Sequence, residues 1–263
     1  MNYIMANMTV KDMQEALAST RTVVVPVGVV EQHGYHLPLS TDIHNAREVV
    51  LRAAPRMEAV AAPAIPYCYS GGELPGTVNV SPQVFSLYVM DICSEFFRMG
   101  FRNVVVFLGH GGTDNLNALR SSLRMVLKRN PHLEDVTVSL IGCWQLSPTW
   151  LELYQMEPEH DFHAAWVETS LMSYWKPELV REEVVMDDEE TSRMMRTDQD
   201  WFETEEKRID HPFIVARTKQ RDEIKIGVMG FPERATRELG EKICNEMIDG
   251  LTDYVAMLNE HTK

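Results

Sequence analysis

Two apolar stretches without polar alternation constrain this chain more than any other feature. Residues 22–30 (TVVVPVGVV) form a continuous, mostly β-branched run, and residues 103–108 (NVVVFL) form another. A strand with one face in water alternates apolar and polar side chains, whereas a strand covered on both faces has no reason to. Both runs therefore predict central strands of a sheet buried between layers. Helix-like segments separate them. Residues 43–57 and 114–128 have helical character, and residues 59–65 and 136–141 read as further strands. Residues 82–99 predict a helix with Ser81 as N-cap, Pro82 in the first turn and Gly100 as the stop. Helices are also expected over residues 164–175 and 232–258. This strand–helix order predicts an α/β fold, a three-layer sandwich around a mainly parallel sheet, formed by a single domain over residues 1–263. Residues 181–224 break the rhythm with Asp, Glu, Arg and Met. They read equally as a lid, an oligomer contact or a solvated charged loop.

Bulk properties narrow the function. There are 25 Lys and Arg against 39 Asp and Glu, a net charge of −14. Such a surface repels phosphate, so neither nucleic acid nor an anionic membrane is an expected partner. No apolar run reaches the roughly 18 residues of a membrane span. The N-terminal MNYIMANMTVKDMQEA lacks the basic and apolar regions of a signal peptide. Cys68, Cys93, Cys143 and Cys244 form no CxxC pair and read as reduced thiols, which points to a cytoplasmic protein.

Ligands of open α/β sheets bind beyond the carboxyl ends of the strands. Glu31, His33, His36 and Asp42 follow the first run, and His110, Gly111, Gly112, Thr113 and Asp114 follow the second. A mixed imidazole and carboxylate set suits zinc, manganese or iron(II), and bridging carboxylates permit two ions. Glu31 and His33, two residues apart, point to one side of extended backbone. Each residue also has a plainer reading. Asp42 suits a helix cap as well as a ligand, and His110 suits a core position under a turn. Gly111-Gly112 before a helix suits a phosphate cradle, although no GxGxxG or Walker pattern is present. His36 is expected to orient a ligand. A third cluster, DFHAAWVETS (161–170), holds His163 and Glu168. Glu168 has apolar neighbours, and a carboxylate among them needs a partner.

These residues resemble a known family. PVGVVEQHGYHLPLSTD (26–42) is similar to the signature of the creatininase family, the creatinine amidohydrolases. The similarity continues through LPGTVNVSP (74–82), LGHGGTDN (108–115), HAAWVETS (163–170) and GVMGFPERATRELGEK (227–242). The resemblance implies a three-layer α/β/α fold, a cytoplasmic homo-oligomer, often a hexamer, and one or two divalent ions per subunit, Zn2+ first and Mn2+ or Fe2+ as alternatives. It implies His33, His110 and Glu168 around one ion, Asp42 as a bridge and Glu31 on the other ion. His163 would be the residue that moves a proton or touches substrate, and Glu168 would share in the catalytic machinery. Creatininase itself has a glutamate where this chain has Gly112. The second ion is therefore expected to be held more weakly, or completed by water or substrate. The tryptophans of a creatinine pocket have Trp144 and Trp166 as candidates.

The function this implies is hydrolysis of a small or cyclic amide by metal-activated water. Tyr69, Glu73, Thr113 and Asp114 are expected on the substrate. Together with Tyr67 and Ser70 they also suit a hydroxyl-rich molecule, so hydrolytic C–C ring opening of a keto-inositol is the second enzymatic reading. A non-catalytic metal or small-molecule binding protein is the third.

Overall fold

In a computed structural model, residues 3–156 and 158–262 are described. The elements in chain order are α1 (Val10–Ser19), β1 (Thr22–Val27), α2 (Thr41–Ala53), β2 (Val60–Ala61), α3 (Pro82–Met99), β3 (Asn103–Leu108) and α4 (Thr113–Arg129). They continue with β4 (Thr137–Gly142), α5 (Pro148–Tyr154), α6 (Trp166–Trp175), α7 (Glu189–Thr197), β5 (Glu203–Glu206), β6 (Arg217–Gln220) and α8 (Arg237–His261). The main sheet runs β2-β1-β3-β4 with every pairing parallel. The two apolar runs are its central strands, and every residue of β1 and β3 is buried.

Period-two alternation divides those strands between two cores. Val24, Val105, Phe107 and Ile141 pack with Val50 of α2, Leu171 of α6 and Met247 of α8. Val23, Val25, Val104 and Val106 pack on the opposite face with Phe85 and Val89 of α3 and Leu119 of α4. The result is the expected three-layer sandwich. All four cysteines are buried and unpaired, and burial pushes the Cys68 and Cys93 thiols up to about 12. No described helix is long and apolar enough to cross a membrane.

Several boundaries differ from expectation for local reasons. β1 ends at Val27, because the chain leaves the ladder at Gly28, whose amide bonds Ile65. Ser81 sits at the N-cap of α3, but its side chain makes no capping bond there. Residues 232–234 form a separate 3-10 turn, and α8 starts afresh at Arg237, capped by Thr236 accepting from the Leu239 amide. The break at residues 181–224 is not shapeless. It contains α7 and the antiparallel hairpin β5–β6.

The strand order has a functional consequence. From β1 the chain passes through α2 to β2 on one side, whereas β3 leads through α4 to β4 on the other. The carboxyl ends of β1 and β3 thus flank the point where the winding reverses, which opens a crevice for a ligand.

Candidate metal centre

Two glycines let three backbones converge at that crevice. A Cβ on Gly28 would sit 2.5 Å from the Ile43 backbone, and one on Gly109 would sit 2.0 Å from the Asp42 carbonyl oxygen. The start of α2 therefore presses against the ends of β1 and β3. Asp42, in its first turn, lands between the residues that leave the two strands.

Asp42 is buried, and each of its oxygens faces a different imidazole. Oδ1 lies 3.3 Å from His33 Nε2, and Oδ2 lies 3.2 Å from His110 Nδ1. Glu168 closes the first side, with Oε2 3.6 Å from His33 Nε2. Glu31 closes the other, with Oε2 3.1 Å from His110 Nδ1. His110 thus groups with Glu31 and Asp42, His33 groups with Asp42 and Glu168, and a third set joins Glu31, His33 and His163. The division implied by the resemblance, with His110 beside His33 and Glu168, differs from this arrangement. His33 and His110 leave different strands and approach Asp42 on different oxygens, so Asp42 separates them.

Supporting bonds fix these side chains. His33 Nδ1 lies 3.1 Å from the Glu31 carbonyl oxygen, so an N–H there leaves Nε2 free toward the carboxylates. Asn45 donates to Glu168 Oε1 at 2.8 Å, and the Ala164 amide donates to Oε2 at 2.6 Å. Ala164 has φ +53°, a left-handed turn that aims this amide. Ser70 donates to Glu31 Oε1 at 2.5 Å. His36 is buried and bonds Thr169 rather than any carboxylate of the cluster, so it braces α6 beside Glu168.

Charges in the cluster hold one another. Burial alone would raise the Glu31 pKa, but His110, His163 and His33 outweigh it and hold the carboxyl well below its usual range. Burial likewise opposes ionisation of Glu168, and His33 and His163 bring it down to about 2. Burial would lower His33 and His110, yet Asp42 with Glu168 raises the first, and Glu31 with Asp42 raises the second, both well above 6.5. Glu31 Oε2, Asp42 Oδ2 and His33 Nε2 are nonetheless buried without a hydrogen-bond partner. Unsatisfied buried acceptors converging from several elements are costly unless a cation joins them. The donor set, two imidazole nitrogens and three carboxylates, fits divalent metal chemistry.

The His163 ring lies against His33, tilted by 42° with centroids 4.3 Å apart, and its Nε2 lies 2.9 Å from the Gln32 carbonyl oxygen. A cavity of about 400 Å³ opens above the cluster. Of the residues expected on the substrate, Tyr69, Thr113, Asp114 and Trp144 line it, but Glu73 and Trp166 do not. Glu73 is exposed and contributes its backbone amide to Gln220 instead. Trp166 stands two residues before Glu168, about 200° around the helix, so its ring turns away, under Arg234. Ser70, expected toward substrate, serves Glu31. Three features escaped sequence reasoning: Asn45, Gln32 and the wall supplied by the 181–224 segment through residues such as Asp200, Phe202 and Glu203. Asn45 carries a readable signal, since it lies one helical turn after Asp42.

Comparisons with known proteins identify the family. The family profile described as creatinine amidohydrolase (Creatininase) matches residues 6–255. A creatinine amidohydrolase of Pseudomonas putida is 26% identical over 245 residues, 88% of this chain and 87% of the relative. The mycofactocin precursor peptide peptidase of Mycolicibacterium smegmatis is 28% identical over 243 residues, 89% of this chain and 83% of the relative. A structure solved as "Creatininase Mn" superposes with a TM-score of 0.78 at 24% identity, covering 98% of this chain and 99% of that one. The chain belongs to the creatininase family and is a hydrolase of the metal-dependent kind.

Proposed function

We propose that this protein hydrolyses an amide bond in a small molecule at a two-ion centre. The observation that carries the reading is Asp42, whose two oxygens face separate imidazoles, each beside a further carboxylate. His33, Asp42 and Glu168 would hold one divalent ion, and Glu31, Asp42 and His110 the other. Zinc and manganese both suit this donor set. When bound, such ions polarise a carbonyl and acidify water, so that hydroxide is available near neutral pH. The protein's own part is to fix the carboxylates, to shield the reacting carbonyl inside the cavity and to supply a proton. Relatives over nearly nine-tenths of the chain are named amidohydrolase and peptidase, activities that both break an amide. Gly112 adds no side chain to the second ion, and a Cβ there would meet His110 Nε2 at 2.7 Å. Water or substrate would then complete that shell.

The test is metal analysis of protein purified without chelator, followed by a screen of linear and cyclic amides. Amide turnover that disappears on chelation and returns with zinc or manganese is the expected result. Bound metal with no amide turnover would reject the reading, and turnover of a keto-inositol alone would replace it with C–C ring opening.

His163 is the proton donor in this scheme. It lines the cavity and touches His33, yet Gln32 holds its Nε2. His163→Gln is expected to keep full metal content and lose about 10²–10⁴ in kcat, the usual range for a general acid. Loss of one equivalent of metal would make His163 a ligand instead.

Ion binding must also displace protons. The pKa values of His33 and His110 are raised by their carboxylate neighbours, so protons compete with the ions for these imidazoles. Loading should therefore release protons, measurable by calorimetry in buffers of different ionisation heat, and should tighten as pH rises. The metal-free fold should follow the opposite trend. Raised imidazole values stabilise it fully below 6.5, and this contribution is lost as pH rises through the folded values. Lowered carboxylate values stabilise it above 4.5, and this is lost as pH falls through the folded values, about 2 for Glu168. Metal-free protein should therefore melt highest between those limits. A Tm that climbs steadily from pH 6.5 to 9 without metal would contradict the assignment.

A further inference from the structure

The outer part of the cavity carries a charge pattern that the hydrolytic step does not use. Asp114, from the first turn of α4, and Asp200 and Glu203, from the 181–224 segment, all line it. Among the described residues, none of the three forms an ion pair and no Lys or Arg lines the cavity. They repel one another. Burial, followed by Asp114, Asp200 and Glu73, raises the Glu203 pKa, and burial, followed by Asp198 and Asp114, raises that of Asp200. A cavity wall that gathers uncompensated carboxylates is set for a cation.

The hairpin shows how the wall is built. Side chains on a strand alternate between faces. Glu203 and Glu205 of β5 and Thr218 and Gln220 of β6 line the cavity. Thr204 and Glu206 on β5, and Arg217 and Lys219 on β6, are on the other face. The hairpin therefore offers acids to the cavity and turns its two cations away from it. The Gln220 side chain accepts from the Glu73 amide, which pins the hairpin to the loop that carries Ser70. Glu203 is set there too, since a Cβ on the neighbouring Gly71 would meet its Oε1 at 3.1 Å. The floor of the same cavity is the metal centre, where Asp42 Oδ2 and Glu31 Oε2 are more than nine-tenths buried and have no hydrogen-bond partner, so a substrate that reaches it lies against this wall. Tyr69 and Phe202 stand beside the carboxylates, and aromatic faces attract ammonium and guanidinium groups as well.

We propose that Asp114, Asp200 and Glu203 select amide substrates whose far end carries a protonated amine or guanidinium, and that they disfavour substrates ending in carboxylate or phosphate. This rests on the amide-hydrolase reading and names its substrate class. The acidic molecule as a whole steers the same cations inward.

The test uses metal-loaded full-length protein and calorimetric binding of ω-aminoalkanamides of three to six carbons. Comparison compounds are alkanamides of equal length, the corresponding ω-carboxylate amides and neutral, hydroxyl-rich gluconamide. The best cationic member should bind about tenfold more tightly than its neutral counterpart, an advantage that fades with added salt. Asp200→Asn combined with Glu203→Gln should bring that ratio close to one with metal content unchanged. Glu206→Gln, on the outward face of the same strand, should preserve it. Equal binding of cationic and neutral members, tighter binding of gluconamide or the carboxylate amides, or a ratio that survives the double variant would overturn the proposal. Selective binding of the amines without any hydrolysis would reject the amide reading and leave the cation preference standing.

Discussion

Asp42→Ala should empty both halves of the metal centre at once. Asp42 lies between the two imidazoles, with Oδ1 3.3 Å from His33 and Oδ2 3.2 Å from His110. Glu168→Ala removes a neighbour of His33 alone, so it should cost one ion first, whereas Asp42→Ala should leave less than one. Because bound divalent ions contribute several kcal/mol to stabilising charge in the transition state, activity should fall on the order of 10³-fold or more. The substitution also strips the shared counter-ion from two buried imidazoles, so the metal-free variant should be less stable below pH 6.5. Asp42→Asn guards against simple misfolding, since it preserves the shape of the first turn of α2. Metal counts by plasma emission, with circular dichroism as the check on folding, decide the matter. A folded Asp42→Asn protein that still binds two ions would remove Asp42 from the bridge.

Much of this centre was legible because burial and chemistry conflict in the sequence. Strands that read as fully apolar end abruptly in Glu31, His33 and His110, and such residues at the end of a buried strand need a reason. Glu168 stood out for the same cause, a carboxylate among Val167, Leu171 and Met172. The elements missed were those with no conflict to notice. β5 reads ETEE and β6 reads RTKQ, polar throughout, so neither carries the alternation that marks a half-buried strand. Their position over the cavity is set by tertiary bonds such as Gln220 to the Glu73 amide. Glu73 and Trp166 were misplaced for a related reason. Residue type suggested substrate contact, but the orientation of a loop and the rotation of a helix decide where a side chain goes. The pairing of His110 with Glu31 depends on a third residue between the imidazoles, and spacing along a chain carries no such information.

Gly109→Ala is the second large effect expected, and it acts through no ligand atom. Gly109 is where β3 ends, with its amide bonded to the Val27 carbonyl of β1 at 2.8 Å. A single methyl group there would lie 2.0 Å from the Asp42 carbonyl oxygen, 2.9 Å from the Ala46 amide and 3.1 Å from Asn45 Cβ. Two of these atoms belong to backbone inside a helix, so no rotamer change relieves the clash. α2 must move away from the sheet, taking with it Asp42 and Asn45, the residue that holds Glu168 Oε1. Overpacking of this kind costs about 1–3 kcal/mol in stability. The loss of function should be larger, because a displacement near 1 Å at a constellation of ligands costs about 10²-fold or more in rate. Gly111→Ala is the matched control. The nearest atoms to its Cβ would be those of the Trp144 ring, at 3.3 Å, so metal content should survive. If Gly109→Ala instead retained both ions and full turnover, α2 could shift without disturbing the centre. The close approach of three backbones would then be a packing feature rather than the device that sets Asp42 between the two histidines.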